Sequence, residues 1–529
     1  MPRIVATMDH ERKVQEKGSV SETKSVWSNI EDAIACRYMR DLPSDALAYV
    51  LLGASRSSVA AWLAVYSVIG LEILCKYVMD PNTKTIVFFG SDVKVSSVVS
   101  ILLTVEGFVN LILCPLYGYL VNRSAYRTAL LRVTLSMMPL SVLVLALILF
   151  GYGTMSAVVS FSIVLVFATL MTECQFISHQ GYLPELFDDA PSRISLQSKQ
   201  NALGFASQLL FIGLTIIVTY AADLTASPGD SISHKFYVSR VIPQVAAIIS
   251  VVVWLAWAIP GMIMISSRRA PTEYPSVIKT IKLCWTDYSQ LSLYYCSYCF
   301  YQSGANALIG LGVSYLSAEV GLTGFALQLQ VMIVVASAVV GSLVTKTICD
   351  YSKNLKVALM IVLCWWAFFV ILPVPLLLTG EDYELPNGNT ARRPTSVANV
   401  AKYFTSIIWG IGIGAIFPIN TAFTAEFVPG GVETAFYGVK TFSSKVFAWL
   451  PPLVYTVMNS AYGPRVAFIG LIPFPIIGAF IFCFFDIDKA HAQVKDTLHL
   501  RQSINIKAVE PSGSTVDSES VESNVVTVI

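Results

Sequence analysis

GYLVNRSAYRTALL (Gly118–Leu131) and KTICDYSKNLKVALM (Lys346–Met360) decide how this chain is built. Each is a short turn with one polar residue, Asn122 or Asp350, and nearby cations, and each leads straight from one apolar run into the next. Counted from the amino terminus, one turn follows the second apolar run and the other follows the eighth. A further echo pairs the fifth run, ALGFASQLLF (Ala202–Phe211), with the eleventh, AFYGVKTFSSKVF (Ala435–Phe447). Landmarks matched six runs apart imply two six-helix halves.

Composition agrees with a chain built for lipid. Of 529 residues, 55% are hydrophobic and only 13% charged, too apolar for a water-soluble multidomain protein, so the fold class is an all-α polytopic membrane protein. A net charge of +1 excludes the basic surface that a nucleic-acid binder needs. The ten cysteines are scattered singly, without the spacing of a disulfide framework or a zinc site. Cys296 and Cys299 form a C-x-x-C on a greasy helix and read as packing residues. His10, His179, His234, His491 and His499 fall in tails or near loops, and no phosphate loop, metal cluster or nucleophile arrangement is present. Neither an enzyme nor a cofactor or metal is expected.

About twelve segments are long enough to cross a hydrocarbon core, which takes about 20 helical residues. The expected spans are 55–79, 95–119, 128–150, 155–178, 201–222, 241–266, 290–316, 323–346, 355–379, 399–424, 433–458 and 462–486. Helices are required because backbone polar groups find no partner in lipid. This divides the chain into a polar amino-terminal tail (1–54), a first half (55–266), a linker (267–289), a second half (290–486) and a disordered tail (487–529). No apolar h-region follows Met1, so no cleaved signal peptide is expected. The modest excess of Lys and Arg in alternate loops places both termini in the cytosol. The N-x-S match at Asn122 falls on that side too.

The turn after the second run keeps Gly118, Leu120 and Arg123 of a G-x-L-x-D-R-x-G-R/K pattern, with Asn122 and Ala125 as departures; its second copy keeps Asp350 and has Tyr351 where arginine is usual. Two matched copies resemble the major facilitator superfamily of transporters. A narrower resemblance lies in Phe176–Leu210, Tyr298–Leu322 and Glu426–Tyr455, which are similar to the vacuole-effluxer-like branch, the autophagy-related amino-acid effluxers. Together with surrounding helices it covers most of residues 170–470, with Ser303 standing where an acid is usual. The resemblance implies alternating access, an amino acid as small-molecule substrate, a lipid environment and a vacuolar or lysosome-like membrane, with the plasma membrane as alternative; a monomer is compatible with it. It also implies that Gly118, Arg123, Arg127 and Asp350 belong to a gate between the halves, unless the two arginines are simple cytosolic anchors.

Charges inside the apolar runs supply the site candidates. Lys440 lies roughly 10 Å into the eleventh helix at 1.5 Å per residue, and Lys445 near mid-membrane. A charge there costs about 2.5–3.5 kcal/mol, so it meets a partner or a wet cavity. One lysine is expected to meet a carboxylate, from the bundle or from substrate; otherwise Lys440 snorkels outward and Lys445 pairs structurally. Glu106, at mid-membrane with Asn110 one turn away, is a candidate proton carrier or a neutral structural acid. Glu173, close to Gln175, is a candidate for substrate or proton work. Glu72 has Lys76 as an i+4 partner. In the seventh helix Tyr294, Tyr298, Tyr301 and Gln302 share a face and predict a wet stripe, with Asn306 beside it. Asn420 follows Pro418, which bends the tenth helix. Gly204 and Gly438 are read as close helix crossings. The substrate-binding candidates are therefore Glu173, Gln175, Tyr298, Gln302, Asn306, Asn420, Lys440 and Lys445. Other readings are a facilitator of a sugar or organic cation, or a non-transporting receptor or scaffold on the same fold.

Overall fold

A computed structural model describes residues 42–78, 85–88, 91–123, 127–151, 153–187, 190–225, 232–266, 277–318, 324–352, 354–371, 380–384, 390–394, 396–428 and 433–495. The helices are α1 (Ser44–Val78), α2 (Val95–Arg123), α3 (Arg127–Ile148), α4 (Met155–Gln180), α5 (Leu183–Leu186), α6 (Ala190–Thr225), α7 (Ile232–Met264), α8 (Val277–Asp287), α9 (Ser289–Ala318), α10 (Gly324–Ser352), α11 (Leu355–Ile371), α12 (Ser396–Phe427), α13 (Glu433–Val446), α14 (Leu450–Tyr462), α15 (Pro464–Ile469) and α16 (Pro473–Cys483). Two antiparallel hairpins, β1–β2 (Thr85–Phe88, Ser91–Lys94) and β3–β4 (Gly380–Glu384, Thr390–Pro394), connect α1 to α2 and α11 to α12. Successive long helices run in opposite directions, so both hairpins lie on one face, the hairpin face. The start of α1 and the end of the last helix lie on the other, the tail face.

Among the described residues nine spans are long and apolar enough to cross a membrane, eight of them each built on one α-helix and the ninth, Val466–Cys483, running through α15 and α16. Three more members of the bundle miss that standard for visible reasons. α9 has the length, at 30 residues, but carries the polar stripe; α11 is shorter; and the eleventh run is cut in two. Pro451 and Pro452 leave the carbonyls of Phe447 and Ala448 without helical donors, and tight turns such as Leu450 N to Phe447 O (3.0 Å) close the break between α13 and α14. Pro473 and Pro475 do the same between α15 and α16, where Ile472 N bonds Ile469 O at 3.1 Å. The expected continuous spans 433–458 and 462–486 are thus each two helices.

Two other boundaries move. α1 starts at Ser44 rather than 55, about three turns earlier. The Pro-Ser-Asp start is tied down by Asp45, which accepts hydrogen bonds from Ser266 N (3.0 Å) and Ser266 Oγ (2.9 Å) at the end of α7. At the other end, residues 487–495 are helical rather than part of a disordered tail. They dock on α9, Gln493 Nε2 donating to Ser289 Oγ (2.9 Å) and Gln493 Oε1 accepting from Gln290 N (3.3 Å). Residues 1–41 and 496–529 lie outside the description, and the linker 267–289 contributes α8.

Each half has its own apolar core, the first centred on Trp62, Tyr66 and Phe161, the second on Tyr294, Phe423 and Phe482. On the hairpin face the halves are joined by polar contacts between α2 and α14, Thr456 Oγ1 to Ser100 Oγ (2.7 Å) and Asn459 Nδ2 to Ser97 Oγ (3.0 Å), and between α10 and α6, Gln328 Nε2 to Thr219 Oγ1 (2.8 Å). Buried hydroxyls and amides need such partners.

Candidate functional site

The two lysines of α13 are five residues apart, which turns them about 140° from each other on the helix. They therefore serve different halves. Lys445 crosses to the first half, its Nζ lying 2.7 Å from Glu173 Oε1 on α4, with side-chain exposures of 7% and 26%. Lys440 stays in its own half. Its Nζ donates to the carbonyl of Asn420 (3.1 Å) and lies over the rings of Tyr298 (5.5 Å) and Tyr437 (5.7 Å). Aromatic faces and a carbonyl dipole solvate an ammonium group without neutralising it. Lys440 does not snorkel; it is buried.

Asn420 organises that half of the site. Its carbonyl also accepts from Tyr294 Oη (3.2 Å) and Thr424 Oγ1 (2.8 Å), while its side-chain Oδ1 accepts from Tyr301 Oη (2.7 Å) and its Nδ2 donates to Gln302 Oε1 (3.4 Å). Gln302 Nε2 continues to Asn306 Oδ1 at 2.9 Å. Pro418 brings no N–H for the carbonyl of Gly414, and Ser342 Oγ of α10 fills the gap at 3.2 Å. The expected wet stripe of α9 is thereby corrected: Tyr294, Tyr298, Tyr301 and Gln302 are buried, Tyr294, Tyr301 and Gln302 bond to Asn420 of α12, and Tyr298 lies against Lys440. The hydroxyls of Tyr294 and Tyr301 need partners in a low dielectric, and Asn420 provides them. Replacing Asn420 by alanine strands Tyr301 Oη and Gln302 Oε1. A loss of about 1–3 kcal/mol is expected, readable as a lower melting midpoint of detergent-purified protein.

In the first half a cavity of about 210 Å³ opens between α1, α2 and α4, with Gly310 of α9 on its edge. Its walls are mostly aliphatic, and its charged members are Glu106 and Glu173. Glu106 Oε1 accepts from Asn110 Nδ2 (3.3 Å), as the i, i+4 spacing predicts. Next to Glu106, Gly107 lets the broken stretch of the eleventh run come close: a Cβ there would fall 2.7 Å from Trp449 N. The Trp449 ring stacks on Phe108 at 4.7 Å. The break between α13 and α14 thus seats directly beside the cavity acid.

Not every candidate joins the site. Gln175 is fully buried, neither amide atom has a partner, and two residues along the helix turn it about 200° from Glu173, so it is not on the cavity wall. Gly118 sits at ordinary contact distance, a Cβ there meeting Ile177 Cγ2 at 3.8 Å. The side chains of Arg123, Arg127 and Asp350 lie outside the described residues, as do those of Glu72 and Lys76; Arg123 ends α2, Arg127 begins α3 and Asp350 is within α10. His179, expected near a loop, lies in the last turn of α4 just before the turn at Gly181, where it is buried, stacked on Tyr49 (4.0 Å) and bonded to its carbonyl (2.7 Å). Gly204 does mark a close crossing, since a Cβ there would fall 2.7 Å from Ser57 Oγ, whereas Gly438 faces open space. Arg56 of α1 escapes sequence reasoning altogether. A helix start at 55 leaves it at the first turn; with α1 starting at Ser44 it is three turns inside.

Two helical halves joined at their hairpin-face ends, with charges gathered between them at mid-bundle, are the architecture of a major facilitator superfamily transporter. Solved structures share it. The chain is similar to the nucleoside transporter NupG (12% identity, TM-score 0.53, covering 83% of this chain and 99% of that one). It is also similar to the xylose transporter XylE from E. coli in a partially occluded inward open conformation (14%, 0.54, 84% and 97%), and to a bacterial homologue of the iron transporter ferroportin (10%, 0.52, 84% and 99%). Residues 70–495 match the family described as vacuole effluxer Atg22 like. The chain belongs to that family: it is a multi-pass membrane transporter of the major facilitator type, and its family and fold are those of transporters rather than enzymes. No curated protein sequence matches it.

Proposed function

We propose that this protein exports amino acids across a vacuolar or lysosome-like membrane by alternating access, with the tail face in the cytosol and a proton as coupling ion. The observation that carries the proposal is the Lys445–Glu173 ion pair, which joins α13 of one half to α4 of the other at the edge of the cavity. A zwitterionic solute needs an anion acceptor and an ammonium acceptor. A buried ion pair that can open supplies both without leaving either charge unpaired. Lys440, Tyr298, Gln302, Asn306 and Asn420, packed together in the second half, are assigned to the second wall that the solute meets once the pair opens. The gate is assigned to Gly118, Arg123, Arg127 and Asp350 on the tail face.

Glu106 fits the proton. It is an acid at mid-membrane on the cavity wall, bonded through one amide, and the fields of Lys445 and Glu173 reach it. Protonation of Glu106 or release of its proton therefore changes the field at the ion pair, which links the coupling ion to the substrate site. The test is uptake of radiolabelled amino acids into proteoliposomes with and without a pH gradient. Wild type is expected to show saturable uptake stimulated by the gradient, and Glu106→Gln to lose the stimulation while keeping counterflow exchange. Gradient-stimulated uptake by Glu106→Gln at the wild-type level would remove Glu106 from coupling; no uptake of any amino acid by folded wild type would remove the substrate.

A further inference from the structure

The charges at the centre of the bundle do not balance, and the imbalance points at Arg56. It lies on the face of α1 that lines the cavity: Ala60, Leu63, Ala64 and Ser67 follow at i+4, i+7, i+8 and i+11, and all four are in the cavity wall. Arg56 is the next position down that stripe toward the tail face. Its guanidinium lies 4.4 Å over the ring of Phe176, which is i+3 from Glu173 on α4. Both side chains keep part of their surface exposed, just beyond the lining of the cavity. Among the described residues Arg56 has no ion pair and no hydrogen bond. The field of Glu173 reaches it, but that carboxylate is already bonded to Lys445 at 2.7 Å. Lys440 likewise has no acid, only a carbonyl and two rings. Among the described residues, three cations thus share the centre with two acids.

We infer that Arg56, held flat by Phe176, is the anchor for a substrate carboxylate, so that the site accepts solutes with a free carboxylate and rejects those of net positive charge. The inference rests on the transporter reading above and narrows its substrate class. A guanidinium offers paired N–H donors in a plane that match the two oxygens of a carboxylate, and a ring beneath it fixes that plane while leaving the donor edge free. A half-buried cation without a counter-ion is costly, so an incoming anion gains what the empty site lacks. A cationic side chain would add a fourth positive charge to the same space and is disfavoured by like-charge repulsion.

The experiment is a thermal-shift titration of the purified full chain with L-leucine, L-glutamate, succinate, L-lysine and L-leucinamide, run beside proteoliposome uptake. Leucinamide keeps the side chain and ammonium group of leucine but lacks the carboxylate. Wild type is expected to be stabilised by at least one free carboxylate among leucine, glutamate and succinate and not by leucinamide or lysine. Arg56→Gln is expected to raise the half-saturating concentration about tenfold or more, and Arg56→Lys, which keeps the charge but not the fork, to fall between. An unliganded melting midpoint and a monodisperse elution profile establish that each variant is folded. If Arg56→Gln does not fold, Arg56→Lys and Phe176→Leu carry the comparison, and wild-type affinity in both overturns the proposal. Stabilisation by leucinamide equal to that by leucine, or unchanged titrations in Arg56→Gln, also overturns it. Stabilisation by succinate that needs Arg56, in the absence of amino-acid uptake, keeps the anchor and removes the amino acid.

Discussion

Lys445→Ala is expected to abolish transport and to destabilise the protein, and the two effects separate in a double variant. Removing one member of a buried ion pair leaves the other charge uncompensated, at a cost of about 3–5 kcal/mol. Glu173 keeps some exposure, at 26% of its side chain, so the lower end of that range applies. Glu173→Gln combined with Lys445→Ala removes both charges and is expected to recover most of the lost stability. Transport should not return, because the ion pair that opens between the halves to receive the solute is gone, even though Arg56 remains. Melting midpoints and proteoliposome uptake of the two single variants and the double decide the point. Transport by Lys445→Ala at the wild-type rate would reduce the pair to a structural tie between α13 and α4.

The sequence reading reached the halves and the charges but not their partners. Matched turns, the length of the apolar runs and the two lysines in the eleventh run are properties of the chain itself, and they survive unchanged. Which lysine meets which half depends on how α13 is rotated, and Lys445 finds Glu173 only once α4 is in place. The polar stripe of α9 shows the same limit: its spacing reveals a face, but not whether water or Asn420 satisfies it. Arg56 is hidden because the Pro-Ser-Asp start signal at 43–45 is weaker than the apolar run that begins later. The breaks at Pro451–Pro452 and Pro473 were also present as residues, yet proline inside a membrane helix can bend it without cutting it.

Gly414→Val is expected to prevent folding, and the reason lies in a crossing that the pattern of glycines only half reveals. In lipid there is no hydrophobic drive to bring helices together, so close backbone approach and interhelical hydrogen bonds carry the association. α10 and α12 meet in that way. A Cβ on Gly410 would collide with the carbonyl of Val334, one on Gly414 with the carbonyl of Ala338, and one on Gly341 with the carbonyl of Ile411. Ser342 and Thr345 donate across the same seam to the carbonyls of Gly414 (3.2 Å) and Ala415 (3.3 Å). A side chain that meets a flexible neighbour can be accommodated by a change of rotamer; one that meets a helix carbonyl must move the whole helix. Overpacking of that kind costs about 3 kcal/mol or more, and here separating the helices also breaks the two hydrogen bonds, one of which is the bond from Ser342 to the carbonyl that Pro418 leaves unpartnered. Gly438→Ala is the matching control, since no atom lies within 4 Å of its added Cβ and a helical glycine gains about 0.5–1 kcal/mol on replacement by alanine. The measurement is fluorescence-detected elution of both variants after mild solubilisation. Gly414→Val should lose the monodisperse peak and Gly438→Ala should keep it. A Gly414→Val protein that elutes and melts like wild type would mean that α10 and α12 stand farther apart than their glycines allow, and the position of Asn420, which α12 carries into the site, would have to be revised with them.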